Sequence, residues 1–141
     1  MNDPIKAESI NRGDGVTRVR ELLGINEDPL PYEGAGGGFK YNLPEFGIWI
    51  FFDENLCVRT LRFDSPFPGN IGGIITGDSK KTVCQARGKS ERKWPVDDGI
   101  DRWMYDRGGY VRYDFDPDTD KVIFNTRLQF HLIFLSRARY I

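Results

Sequence analysis

At 141 residues and a formal net charge of −1, the chain is long enough for one shared core and too evenly charged to be drawn as a whole to nucleic acid or to an anionic membrane. An aromatic content of 13% with 16 glycines favours β-structure with many turns, and 29% charged residues keep its surface wet. Its longest apolar run, Ile48 to Phe52, falls far short of the roughly 18 residues a membrane helix needs.

Residues 1–12 read as a polar lead-in with no basic leader ahead of an apolar stretch, so a cytoplasmic location is expected. Asp14 then offers a carboxylate to the open N–H groups of a first helix over 15–23. Val16, Val19, Leu22 and Leu23 give that helix one apolar face, and Gly24 ends it. From Asn26 to Gly38 the text is rich in Pro, Glu and Gly and reads as a mobile loop. Strands are expected over 39–42, 47–52 and 57–63, with Asp53-Glu54-Asn55 as the turn joining the last two. Asp64 to Asn70, with Pro66 and Pro68, interrupts both helix and strand ladders and serves as a joint. Asp78 or Ser79 caps a second helix ending at Gly88, a polar loop runs over 89–99, and strands follow at 100–105, 110–115 and 121–128. Phe130 to Leu135 is a further strand-like run.

The second half repeats the first. Gly13-Asp14 lies eleven residues before Gly24, and Gly77-Asp78 lies eleven before Gly88, 64 residues on. At the same offset Val19, Tyr41 and Val58 meet Val83, Tyr105 and Val122, while Phe52-Asp53 meets Phe115-Asp116 one residue out of step. Two α-β-β-β units over 10–63 and 74–128, joined by 64–73 and followed by a segment over 129–136, therefore compose the expected single domain. Strands joined by short turns pair antiparallel, and each helix must cover one face of its sheet. The expected fold is α+β: an antiparallel sheet with two helices on one side and the opposite face left for a partner.

Few residues offer chemistry. His131 is the only histidine, which removes multi-histidine metal sites and leaves one base for any triad. Gly34 to Gly38 before Lys40 lacks phosphate-loop spacing and follows no strand. Asp114, Asp116, Asp118 and Asp120 alternate like calcium ligands, but Thr119 and Asn125 stand where an EF-hand needs glycine and glutamate. No motif implies a cofactor or a metal. Cys57 and Cys84 are expected to be free, reduced and mostly buried.

Charge is segregated. Residues 79–93 hold Lys80, Lys81, Arg87, Lys89, Arg92 and Lys93 against Glu91, and residues 97–120 hold eight aspartates against three arginines. The acidic block is interleaved with aromatics, so the candidate partner-binding residues are Trp94, Asp97, Asp98, Asp101, Trp103, Tyr105, Asp106, Tyr110, Asp114 and Asp116. Two other readings stay open. The basic segment over 80–93 with Trp94 suits a nucleic-acid binder, and Asp114 with Asp116 suits a carboxylate-dependent hydrolase.

The run from Gly13-Asp14 through Leu22-Leu23-Gly24, an aromatic strand, Gly47-Ile48-x-Ile50-x-Phe52-Asp53 and Val58-x-x-Leu61 resembles the repeated unit of β-lactamase-inhibitor-protein-like folds. The resemblance spans residues 10–128. In size and in the absence of a signal sequence the chain is also similar to small bacterial toxin-immunity proteins. This implies a non-enzymatic inhibitor that binds a toxin domain and occludes its basic active-site cleft. The lack of a secretion or lipid signal departs from an envelope role, and no functional residue carries over.

Overall fold

In a computed structural model, residues 2–90, 92–93, 100–105 and 110–128 are described, with residues 92, 93, 110 and 124–128 described by their backbone alone. Helix α1 (Val16–Leu23) buries Val19 and Leu23, two positions of the apolar stripe. It stops at Gly24, whose φ of 68° places it in the left-handed region that favours glycine. The lead-in is structured rather than loose: a 3₁₀ helix at Pro4–Ser9 buries Ala7, and Ile10 behind it is fully buried. Asn2 closes the C-terminal end of α1 by donating its backbone N–H to Leu23 (2.8 Å) and its amide to Leu22 (3.3 Å) and Glu21 (3.4 Å). The last carbonyls of the helix, which have no partner within it, are satisfied this way.

Strands β1 (Leu30–Pro31), β2 (Phe39–Leu43), β3 (Ile48–Phe52) and β4 (Val58–Asp64) precede helix α2 (Lys80–Arg87). Strands β5 (Arg92–Lys93), β6 (Asp101–Tyr105), β7 (Tyr110–Phe115) and β8 (Val122–Leu128) follow it. All eight form one antiparallel sheet in the order β1-β2-β3-β4-β8-β7-β6-β5. The α+β class with an antiparallel sheet holds, and two short outer strands, β1 and β5, occupy stretches expected to be loops.

One buried cluster unites the helices with one face of the sheet. It contains Val19 and Leu23 of α1, Val83 of α2, Ile48, Ile50 and Phe52 of β3, Leu61 and Phe63 of β4, and Val111, Tyr113 and Phe115 of β7. Both helices therefore lie on the same side. The joint at 64–73 contributes to this core rather than merely spacing it: Phe67 (7% exposed) stacks on Phe63 with centroids 4.4 Å apart, and Ile71 is also buried. Burying a side chain of this size contributes about 1.5–3 kcal/mol.

Backbone contacts recur at the 64-residue offset. The Gly13 N–H donates to the Val58 carbonyl (2.9 Å) and the Gly77 N–H to that of Val122 (2.8 Å). Val58 and Val122 each donate back, to the carbonyls of Asp14 and Asp78, at 2.8 Å. The Asp14 carboxylate accepts from the Asn11 N–H (2.8 Å) and the Asp78 carboxylate from the Ile75 N–H (2.9 Å). Asp14 thus braces the turn before α1 rather than capping the helix; its N-cap is Gly15, with no side-chain bond. At α2 the cap is Ser79, whose hydroxyl accepts from the Thr82 N–H at 3.1 Å. The β3–β4 and β7–β8 pairs also share an irregularity, at Phe51/Phe52 and at Asp114/Phe115. Where β4 meets β8, Arg62 pairs with Thr126, the residue 64 positions later.

Candidate functional site

Directly opposed residues of neighbouring strands share a face, and alternate residues of one strand point to opposite faces. Register therefore assigns the side chains of the face that carries neither described helix, the helix-free face below. Lys40 opposes Phe51, Trp49 opposes Arg62, and Arg112 opposes Met104; Arg102 opposes Asp114. Met104, although buried, is absent from the core cluster, as expected for a residue on that other face. Among the described side chains, its β2–β4 part is rich in aromatic and basic groups. Trp49 and Phe51 are half-buried, and the Arg62 guanidinium lies 4.9 Å from the Trp49 ring centroid. Tyr32 meets Phe51 edge-on at 5.0 Å, with Lys40 Nζ 5.7 Å from the Tyr32 centroid.

Carboxylates sit beneath those cations. Asp114 is 2% exposed and accepts from Arg112 Nε (2.8 Å), Arg112 Nη2 (3.3 Å) and Arg102 Nε (3.4 Å). Asp64 pairs with Arg62 Nη2 at 3.3 Å. Burial pushes the Asp64 carboxyl above its usual range, against the downward pull of Arg62.

The glycine-rich loop expected to be mobile borders this face and is tied to it by hydrogen bonds. Tyr32 donates its N–H to the Gly38 carbonyl (2.9 Å), and a Cβ on Gly38 would run into the carbonyl of Phe52. The carbonyls of Gly36 and Gly37 accept from the buried Arg59 guanidinium at 2.8 and 3.1 Å. Carbonyls turned onto a cation are the reverse of a phosphate cradle, whose N–H groups converge on an anion. Burial lowers the Arg59 pKa, against the opposing influence of Tyr32 and Asp53.

The residues expected at an interface are placed differently. Trp103 (8% exposed) and Tyr105 (2%) belong to the core, because odd positions of β6 face the helices. Trp103 packs on Phe115 at 4.7 Å, and the Tyr105 hydroxyl donates to the Gly88 carbonyl at 2.9 Å. Asp101 is tied at 3.0 Å to Lys80 Nζ, which also reaches Asp120 at 3.0 Å. Asp114 lies under two arginines, and Asp116 accepts from the Asp118 N–H at 2.8 Å within its turn. Trp94, Asp97, Asp98 and Asp106 lie outside the described residues, as do the side chain of Tyr110, His131 and the run over 129–136. The aromatic-acidic block is thus not presented as one surface by its described members.

The alternative readings lose their geometry in the same way. Lys80 serves its two aspartates, and the Arg87 guanidinium stacks 5.1 Å from the Tyr105 centroid, so half of the described basic side chains of 80–89 are turned inward. Asp114 is 2% exposed and bonded to two arginines, so it offers no open carboxylate to pair with half-buried Asp116. No group of three or more metal-ligating side chains is present among the described residues, and none of their helices is long and apolar enough to cross a membrane. Cys57 is half-buried, whereas Cys84 is exposed, contrary to expectation; neither is paired in a disulfide. A groove beside the end of α1 is lined by Thr17, Arg20, Glu21, Gly24, Ile25 and Asn26. There Arg20 bonds Asp28 (3.0 Å) and the Asn26 carbonyl (2.6 Å).

Trp49, Phe51 and Arg62 were readable only as strand residues. Their signal is the second face of the alternation in Ile48-Trp49-Ile50-Phe51-Phe52, which becomes meaningful once the helices are known to share one side.

No protein-family model matches the chain, and no curated protein matches it in sequence. Two solved structures share its fold. An extracellular protein containing an SCP domain from Bacillus anthracis str. Ames superposes on 89% of this chain with a TM-score of 0.66 and 10% identity. The chain covers 46% of that protein, a little under half its length. A DUF4309 family protein (YjgB) from Bacillus subtilis subsp. subtilis str. 168 superposes on 85% of this chain and 81% of its own, with a TM-score of 0.52 and 16% identity. At such identities the likeness concerns the fold alone.

Proposed function

We propose that this chain is a non-enzymatic protein-binding module that docks its partner on the helix-free face of the sheet. The observation carrying this reading is the asymmetry of the sheet: one face is sealed by α1 and α2, while the other holds half-buried Trp49 and Phe51 beside Arg62 and Lys40. Aromatic residues with arginine are the side chains that dominate binding energy at protein interfaces. Internal duplication of a small scaffold and the resemblance to immunity proteins extend the proposal to a cytoplasmic inhibitor that occludes a toxin domain. Lys40 and Arg62 beside those rings favour a contact other than a basic cleft, at a place apart from the acidic block.

The test is co-expression with the product of the neighbouring reading frame. Trp49→Ala with Phe51→Ala should abolish co-purification and any protection from toxicity, while Gln85→Ala on α2 should leave both intact. Loss with Gln85→Ala alone, or undiminished capture by the Trp49/Phe51 variant, would sink the assignment of the face.

A further inference from the structure

We infer that Arg59 is a positioning residue for partner binding: it fixes the glycine-rich loop, Gly34 to Gly38, so that the loop extends the docking face at its Tyr32 edge. This rests on the docking face proposed above and adds to it a loop and the residue that shapes the loop. The first support is the place of Arg59 in the sheet. Phe52 pairs with Val58 and Phe51 with Thr60, so Arg59 is the extra residue of a bulge, a device that re-aims a side chain. In the second half Phe115 pairs with Val122 and Asp114 with Phe124, so the extra residue there is half-buried Ile123. The bulge itself therefore needs no charge. What the arginine adds is its grip on the loop.

The second support is that this grip opposes stability. Arg59 is 5% exposed, yet it forms no ion pair with a carboxylate among the described residues. Its Nη1 and Nη2 donate to the carbonyls of Gly36 (2.8 Å) and Gly37 (3.1 Å), and its buried Nε has no acceptor. Burying a cation without a counter-ion is unfavourable, and glycine loses more conformational freedom on ordering than any other residue. A local arrangement kept against both effects marks a functional position.

The third support is what the held loop presents. With the Gly37 carbonyl turned onto Arg59, the Gly38 N–H lies on the opposite side of their trans peptide plane. Among the described residues nothing accepts from that N–H, which leaves a fixed donor for an acceptor on the partner. Tyr32 joins the loop to the face: its N–H donates to the Gly38 carbonyl at 2.9 Å, and its ring meets Phe51 edge-on at 5.0 Å. A loop ordered before docking loses less entropy on binding.

Arg59→Ile, which gives the first bulge the residue type of the second, tests this in the full chain by three readouts. These are urea unfolding, hydrogen exchange at Gly37, whose N–H donates to Gly34 at 3.1 Å, and capture of the product of the neighbouring reading frame. The unfolding midpoint should stay at or above that of the parent, while exchange at Gly37 becomes about tenfold faster and capture about tenfold weaker. Arg59→Lys keeps the charge but loses the planar fork, so it should also loosen the loop and weaken capture; it decides the matter by the same readouts if Arg59→Ile does not fold. Unchanged exchange at Gly37, or unchanged capture by a loosened loop, overturns the inference. Loss of capture matched by loss of stability in both variants also overturns it, because Arg59 then serves only the fold. If Trp49→Ala with Phe51→Ala loses capture and neither Arg59 variant does, the docking face stands and the inference falls. If the parent captures nothing, both fall.

Discussion

Gly13 and Gly77 isolate a pure backbone effect. Both have strongly positive φ, 88° and 94°, and a Cβ added at either meets nothing within 4 Å. Alanine at each should cost roughly 1–2 kcal/mol from conformation alone, with closely similar losses in urea unfolding. Gly38→Ala should cost more than either, because its Cβ collides with the Phe52 carbonyl. Tyr113 offers a residue-scale test by pH. Burial pushes its phenol from the ordinary 10.0 up to about 12, against a downward pull from Arg87, while its hydroxyl donates to Ile71 at 2.8 Å. The folded pKa lies above the unfolded one, so the protonated form stabilises the fold fully below pH 10.0 and that contribution is lost as pH rises towards about 12. A phenolate absorbance titration should show a late component, and Tyr113→Phe should remove part of it.

The two helices are fastened by different chemistry at equivalent positions. Val16 opens α1 and packs against the core, whereas Lys80 opens α2 and joins Asp101 to Asp120. Burial works against the charge of Lys80, but hydrogen bonds and attraction from both aspartates hold its pKa above the usual value. Lys80→Ala should destabilise the fold by about 1 kcal/mol, and the gap to the parent should narrow with added salt. Val16→Ala should show no such salt dependence. The same contrast explains what was legible in the sequence. Helices with a glycine stop and strands with alternating apolar residues were readable because local spacing fixes them. Leu30–Pro31 was not, since a two-residue strand carries no period and exists through its pairing with Phe39 and Lys40. The acidic block misled for a related reason. Composition placed Trp103 beside aspartates along the chain, but register turns Trp103 to the core and leaves Asp114 on the far face under arginine.

Across the whole molecule, the central β4–β8 pair carries the core from one half to the other. Phe63 is fully buried there and stacks on Phe67. Phe63→Ala should therefore cost about 3–5 kcal/mol. Hydrogen exchange should report the same loss at Ile50 in the first half and Tyr113 in the second. Loss confined to residues 10–63 would show that the halves unfold separately.

The pairing of Arg62 with Thr126 has a consequence for which halves can assemble. If residues 10–64 were released and two copies joined through β4 in the register now used with β8, Arg62 would face a second Arg62. Like charges directly opposed across an antiparallel pair are destabilising. With threonine at position 126, the native seam sets no second arginine opposite Arg62. One residue at the centre of the sheet thereby favours the union of unlike halves within a chain over the self-association of like halves between chains.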